Sequence, residues 1–269
     1  MTTLWLSSPL SQHKYRIQIT VPARPAPPQG YPAVFMLDGD WSMNALAATP
    51  QHPDWPVALV AVGYGPDPAA SRVARAYDYT PALPGGKPDH DPRMPQWRSG
   101  GADIFLDFLE TILMPALDAT VRLDPAQRTL YGHSYGGLFV LHALYHRHDL
   151  FKRYVAASPS LWWRDQYLIK AADTLLGSEH HDETQLLLMV GEGEAWHPLP
   201  AGEDPADPMR AHGIPTLPMA QTLVERLNGV SGLSTTLEIL PRLNHADMLP
   251  MSASRAISFA SDGVPPCQT

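Results

Sequence analysis

The 269-residue chain is expected to form one α/β domain over residues 1–269, with a mostly parallel central sheet and helices on both faces. Three observations point there. Continuously apolar runs at 33–37, 57–62 and 186–190 have the character of strands buried on both faces. They alternate with segments long enough to cross back over a sheet. Between them, Gly132-His133-Ser134-Tyr135-Gly136 follows a β-like stretch (128–131) and precedes a nearly all-apolar helix-like one (138–145).

Residues 15–21 alternate polar and apolar and read as an edge or hairpin strand. After a Pro-rich turn comes the strand 33–37, a short helix over 42–48, and the strand 57–62. Residues 66–100 are rich in Pro, Gly, Asp and His and are expected to form a long ordered excursion over the sheet. Residues 102–121 form an amphipathic helix with Ile104, Phe105, Phe108, Leu109, Ile112 and Leu113 on one stripe and a kink at Pro115. Strand 154–157, the turn 158–163, strand 186–190, helix 219–227, strand 236–240 and a last helix after Leu249 complete the order. No internal repeat and no linker divides the chain.

Composition narrows the function. A formal net charge of −8 argues against nucleic acid or an anionic membrane as partner. No run of 18 apolar residues predicts a membrane span, and the first residues lack a basic, then apolar, leader. The expected compartment is the cytoplasm, or the periplasm where a leader has been removed. The single cysteine, Cys267, excludes an internal disulfide. The 12 histidines show no metal-ligand spacing, His180-His181 included, so neither metal nor cofactor is expected. Nothing here implies an oligomeric state.

Gly-x-Ser-x-Gly is the form of a nucleophile elbow, which places serine on a strained strand-to-helix turn. Close backbone approach is expected to require glycine two positions before and two after Ser134. A serine hydroxyl needs a base, and that base a carboxylate to hold its tautomer. In α/β-hydrolases the order is Ser, Asp or Glu, His, each after the end of a strand. His245 follows the last strand and suits the base. Glu194, after strand 186–190, suits the acid; Glu192 is the alternative, and a pair without an acid is the third. Oxyanion donors are expected at the Tyr135 N–H and at the turn Asp38-Gly39-Asp40, through the Asp40 N–H with Gly39 permitting the turn.

Four stretches, 31–40, 75–81, 100–163 and 244–250, resemble the esterase D family of α/β-hydrolases. Within it they resemble the siderophore-esterase branch, the trilactone hydrolases of enterobactin-, salmochelin- and bacillibactin-type catecholates. The resemblance implies an α/β-hydrolase with little or no separate cap domain, cleaving the serine ester backbone of a siderophore to release iron. It carries over Ser134 and His245 as the catalytic pair. Some members of the branch lack a well-placed acid. The Pro-rich stretches 83–97 and 196–218 depart from the pattern. A ferric tris-catecholate is a bulky anion, which would call for arginines and flat aromatic surfaces. Arg72, Arg75 and Arg98, with Trp162, Trp163 and Trp196, are the candidates, although Arg75 is better suited to bracing Asp78 and the Trp162-Trp163 pair to core packing. The alternatives are a general small-ester or S-acyl hydrolase, S-formylglutathione hydrolase-like or feruloyl esterase-like, and a non-catalytic binding protein on the same fold.

Overall fold

The computed structural model describes residues 1–48, 55–85, 89–176, 183–195 and 213–261. Trp196, His180-His181, Cys267 and most of the Pro-rich stretch after Ala195 lie outside them.

The strands pair into an eight-stranded sheet in the order β1-β2-β4-β3-β7-β8-β9-β10. These are β1 (Thr2–Ser7), β2 (Lys14–Thr20), β3 (Tyr31–Leu37), β4 (Ala58–Gly63), β7 (Leu123–His133), β8 (Arg153–Ala157), β9 (Thr184–Gly191) and β10 (Leu233–Leu240). The first two strands are antiparallel to their neighbours and all other pairings are parallel. Strand β3 shows why its sequence had to be an unbroken apolar run. Ala33, Phe35 and Leu37 enter the core on one face, while Val34 and Met36 enter the core on the other.

Helices α1 (Gly39–Ala47) and α8 (Met248–Ser261) cover one face. The other carries α3 (Ala102–Phe108), α5 (Tyr135–His146), α6 (Trp163–Leu176) and α7 (Thr216–Leu227). Helix α5 is buried along almost its whole length, as its all-apolar sequence requires. Among the described residues no helix is long and apolar enough to cross a membrane.

Three local features differ from expectation. The excursion after β4 contains helix α2 (Pro68–Asp78), capped by Asp67, whose carboxylate accepts from the Ala69 and Ala70 N–H groups, with Pro68 in the first turn. The same stretch carries a two-stranded ribbon, β5 (Asp89–His90) and β6 (Arg98–Ser99). In place of a simple kink at Pro115, α3 passes through a π turn (Leu109–Leu113) into α4 (Met114–Asp118). The wider turn accommodates a residue that has no N–H to donate. Helix α6 had no counterpart in the sequence reading. It begins in a left-handed turn, with φ of 46°, 54° and 62° at Arg164, Asp165 and Gln166.

Candidate active site

Ser134 stands between β7 and α5 with φ 62° and ψ −118°, a conformation costing about 1–3 kcal/mol for a residue with a Cβ. The surroundings hold it there. Its N–H donates to the Ala157 carbonyl (3.0 Å), and its own carbonyl accepts from Leu138 (3.0 Å) and Ser160 (3.1 Å). The glycine requirement falls differently from expectation. A Cβ at Gly132 would lie 2.3 Å from the Gly136 carbonyl oxygen, so Gly132 is obligatory. At Gly136 the nearest atom would be 3.5 Å away, an ordinary contact. The crowded position is Gly137, 2.9 Å from the Ala157 oxygen and 3.0 Å from the Pro159 Cα. The backbone of Gly136 is the neighbour that excludes a side chain from Gly132.

Glu194 lies in the 3₁₀ turn after β9, 2% exposed. Its Oε1 accepts from the Ser158 hydroxyl (2.6 Å) and the Gly191 N–H (2.8 Å), and its Oε2 faces the His245 Nδ1 at 3.4 Å. Burial alone would raise this carboxyl. Hydrogen bonds with His245, Ser158, Thr216 and Gly191 outweigh burial and hold it below the usual carboxylate range. Glu192 points elsewhere: its Oε2 accepts from the Arg242 N–H at 3.2 Å. The two glutamates are thus separated by geometry, and Glu194 is the one beside the histidine.

Ser134, His245 and Glu194 line a single cleft of about 90 Å³ with Arg93, Ser158, Trp162 and Thr216 among its walls. Beneath it, the Nε2 of His133 lies 2.9 Å from the His245 carbonyl oxygen, and the two rings are 4.7 Å apart. Burial, with the nearby His245 and Arg75 charges, pushes His133 down to about 3. The ring is therefore neutral at pH 7, and its Nε2–H is the donor of that bond.

The turn after β3 comes up against the elbow. Asp38 is left-handed (φ 51°) and its carboxylate takes a two-pronged bond from Arg75, 2.8 Å on each arm. Arg75 also reaches the His133 carbonyl at 3.4 Å. Burial opposes charge on this guanidinium, but Asp38 outweighs it and keeps Arg75 protonated. A Cβ at Gly39 would come within 2.8 Å of the Ala61–Val62 backbone, so glycine is needed at this turn. Gly39 and Asp40 open α1 and Tyr135 opens α5, so their N–H groups belong to first turns that have no intrahelical partner. The Asp40 side chain is engaged by Arg16 and by the Gly65 N–H.

The expected substrate contacts sort unevenly. Arg75 braces Asp38, not Asp78; Asp78 is buried against His13, Tyr15 and Tyr64. Arg72 is exposed on α2 outside the cleft. Arg98 stacks on Tyr77, 4.7 Å from its ring, also outside. Trp163 is 1% exposed and belongs to the core. Trp162 does line the cleft. Sequence reasoning missed Arg93, Ser158 and Thr216. Only Ser158 carried a signal, since it directly follows the end of β8. Away from the cleft, Asp103, His142 and His146 bring ligand-type atoms within 4.8 Å of one another, a grouping that spacing did not reveal. In it the His142 Nε2 is bonded to Asp103 (2.8 Å) and the His146 Nδ1 to the His142 carbonyl (2.8 Å).

A serine on a strained strand-to-helix turn, sharing a cleft with a histidine backed by a buried carboxylate on a mostly parallel sheet, defines an α/β-hydrolase of the serine-esterase class. The chain belongs to the family described as "Putative esterase", whose model matches residues 8–200. It is 30% identical to the ferri-bacillibactin esterase BesA of Bacillus subtilis, over 95% of this chain and 87% of the relative. To the apo-salmochelin esterase of Escherichia coli it is 32% identical, over 90% of this chain and 73% of that one. Among solved structures, the BES protein from Bacillus cereus superposes with a TM-score of 0.76 at 28% identity, covering 96% of this chain and 95% of that one.

Proposed function

We propose that this esterase hydrolyses a siderophore ester through an acyl-enzyme on Ser134. His245 takes the proton of the Ser134 hydroxyl as the oxygen attacks the ester carbonyl, and returns it to the departing alkoxide. Glu194 holds the His245 Nδ1–H, so that Nε2 is the nitrogen that accepts. The oxyanion is met by the Tyr135 and Asp40 N–H groups, with Gly39 permitting the turn. Water, activated by the same histidine, then releases the acid.

The observation that carries the mechanism is the Glu194–His245 contact at 3.4 Å in the cleft that Ser134 lines. The substrate reading is supported by the relatives, named as ferri-bacillibactin and apo-salmochelin esterases. The scissile ester would enter this cleft beside Ser134. The body of a trilactone would rest on its rim.

The test compares Ser134→Ala with wild type on a short aryl ester and on a ferric catecholate trilactone. Wild type should cleave the trilactone, and Ser134→Ala should lose roughly 10⁶-fold in kcat while keeping the fold. Retained turnover in the variant would overturn the mechanism. A trilactone cleaved no faster than background would remove the siderophore reading and leave a small-ester hydrolase.

A further inference from the structure

We infer that Asp103, His142 and His146 form a binding site for one first-row divalent cation of the Zn²⁺ type, joining α3 to α5 outside the Ser134 cleft. None of the three residues lines that cleft, so the site is independent of the esterase chemistry.

His142 and His146 stand one turn apart on α5, a separation that puts two imidazoles on one helix face. At a helical rise of about 1.5 Å per residue, His142 lies about 12 Å along α5 from its Ser134 end. The pair acquires a meaning when α3 brings Asp103 against it. The His142 Nε2 is 2.8 Å from the Asp103 Oδ1, the two imidazole rings are 4.1 Å apart, and one donor atom from each of the three residues lies within 4.8 Å of the other two. Ligands held at about 2.0–2.1 Å around a tetrahedral Zn²⁺ stand about 3.3 Å from one another. The donors must therefore close by about 1.5 Å at most, and Asp103 and His146, both exposed, can do so by changes of rotamer.

The tautomers suit coordination. The His146 Nδ1 is 2.8 Å from the His142 carbonyl oxygen, which can only accept. The proton of the neutral ring is therefore on Nδ1, and the Nε2 lone pair is available to a metal. Ligating histidines are commonly fixed by such an N–H-to-carbonyl bond. His142 has the opposite form while its Nε2–H donates to Asp103. Its buried Nδ1 has no hydrogen-bond partner among the described residues, so only the Asp103 bond keeps the proton on Nε2. A cation that takes both the Asp103 oxygen and the His142 Nε2 leaves that proton to Nδ1, with no net release.

Charge and donor type narrow the occupant. Among the described residues the Asp103 carboxylate pairs with His142 and with no lysine or arginine. His146 closes the last turn of α5, whose carbonyl end favours positive charge. Two imidazoles and a carboxylate suit Zn²⁺ and its first-row neighbours, whereas Mg²⁺ and Ca²⁺ prefer shells of oxygen. Three protein ligands leave a further position to water. Because the donors come from two helices, a bound cation would tie α3 to α5 and stabilise the folded chain by mass action.

The test titrates tag-free protein with Zn²⁺ by calorimetry, and with Co²⁺ as a substitute whose d–d absorption reports its ligands. Wild type should bind one ion per chain, give Co²⁺ bands distinct from those of the aqueous ion, and unfold at a higher temperature with Zn²⁺ but not with Mg²⁺. His146→Ala and Asp103→Asn change exposed positions; each should weaken Zn²⁺ binding by about tenfold or more and remove the Co²⁺ bands. His90→Ala removes an exposed imidazole elsewhere and should bind as wild type does. If one of the two site variants fails to fold, the other carries the comparison. Wild type that binds Zn²⁺ no more tightly than the folded site variants overturns the site. Binding that survives both substitutions places the metal on other histidines and overturns it equally. Ester hydrolysis enters neither readout, so failure of the siderophore reading and failure of the metal site are told apart.

Discussion

Replacing Glu194 by glutamine tests the catalytic assembly at its most informative atom. The Oε1 of Glu194 accepts from both the Ser158 hydroxyl and the Gly191 N–H. A glutamine oxygen must therefore stay in that place, which directs its NH₂ at the His245 Nδ1, now occupied at 3.4 Å by Oε2. Two donors would then face each other unless the imidazole moves its proton to Nε2, the nitrogen that must accept from Ser134. Losing a charge-assisted bond to the imidazolium costs about 1.5–3 kcal/mol, and inverting the tautomer about 1–2 kcal/mol more. At about 1.4 kcal/mol per decade, kcat should fall between roughly 10² and 10⁴-fold. Glu192→Gln keeps an amide oxygen for the Arg242 N–H and should stay within about twofold. Initial rates on 4-nitrophenyl acetate, with unfolding midpoints to confirm that both variants are folded, provide the comparison. Equal and small losses would show that Ser134 and His245 work without the acid.

Gly137→Ala should lose about 1–3 kcal/mol of stability in urea titration, because its Cβ would meet the Ala157 oxygen at 2.9 Å and Pro159 at 3.0 Å. Gly136→Ala, with its nearest neighbour at 3.5 Å, should be neutral or gain up to about 1 kcal/mol from helix propensity; the reverse order would mean that the elbow is packed differently. His133 has a folded pKa of about 3 against about 6.5 when unfolded. Its contribution is thus fully present above about pH 6.5 and lost as pH falls toward 3. Denaturant titrations of His133→Gln from pH 7 to 5 should show a shallower fall in stability than wild type, and parallel curves would contradict a neutral His133. Glu194, held below its usual range, contributes stability above about pH 4.5 that disappears as pH drops further. That additional loss should be missing from Glu194→Gln.

What the sequence made legible was what chain order and period encode. The runs at 33–37 and 186–190 could only be two-sided strands, and both are. Ser134 and His245 stood at the ends of strands in the right order, and the fold brings them to one cleft. What stayed hidden depended on partners far along the chain. Arg75 and Asp78 sit one helical turn apart, which suggests a pair, yet Asp78 is claimed by tyrosines of the β2 side and Arg75 by a carboxylate 37 residues earlier. Helix α2 announced itself through Asp67-Pro68, a cap followed by a first-turn proline, and was obscured by the loop-like composition around it. Arg93 looked like one more charge in a Pro-rich loop. Only the stacking on Trp162, nearly seventy residues later, distinguishes it.

The loops around the Ser134 cleft are held chiefly by bonds that involve the backbone, which explains how a site on loops can keep its geometry. The Leu243 carbonyl accepts from the Gly193 N–H at 2.9 Å and would touch a Cβ at Gly191 at 2.3 Å, so the Glu194 loop and the His245 loop interlock through glycines. Glu192 holds the Arg242 N–H from the same side, and His133 holds the carbonyl of His245 itself. On the other flank Arg75 joins the Asp38 turn to the His133 carbonyl, and Ser160 N–H joins the turn after β8 to Ser134. Each neighbouring loop is therefore bonded to the elbow or to a loop that is. A strained Ser134 persists because its alternatives would break several of these bonds at once.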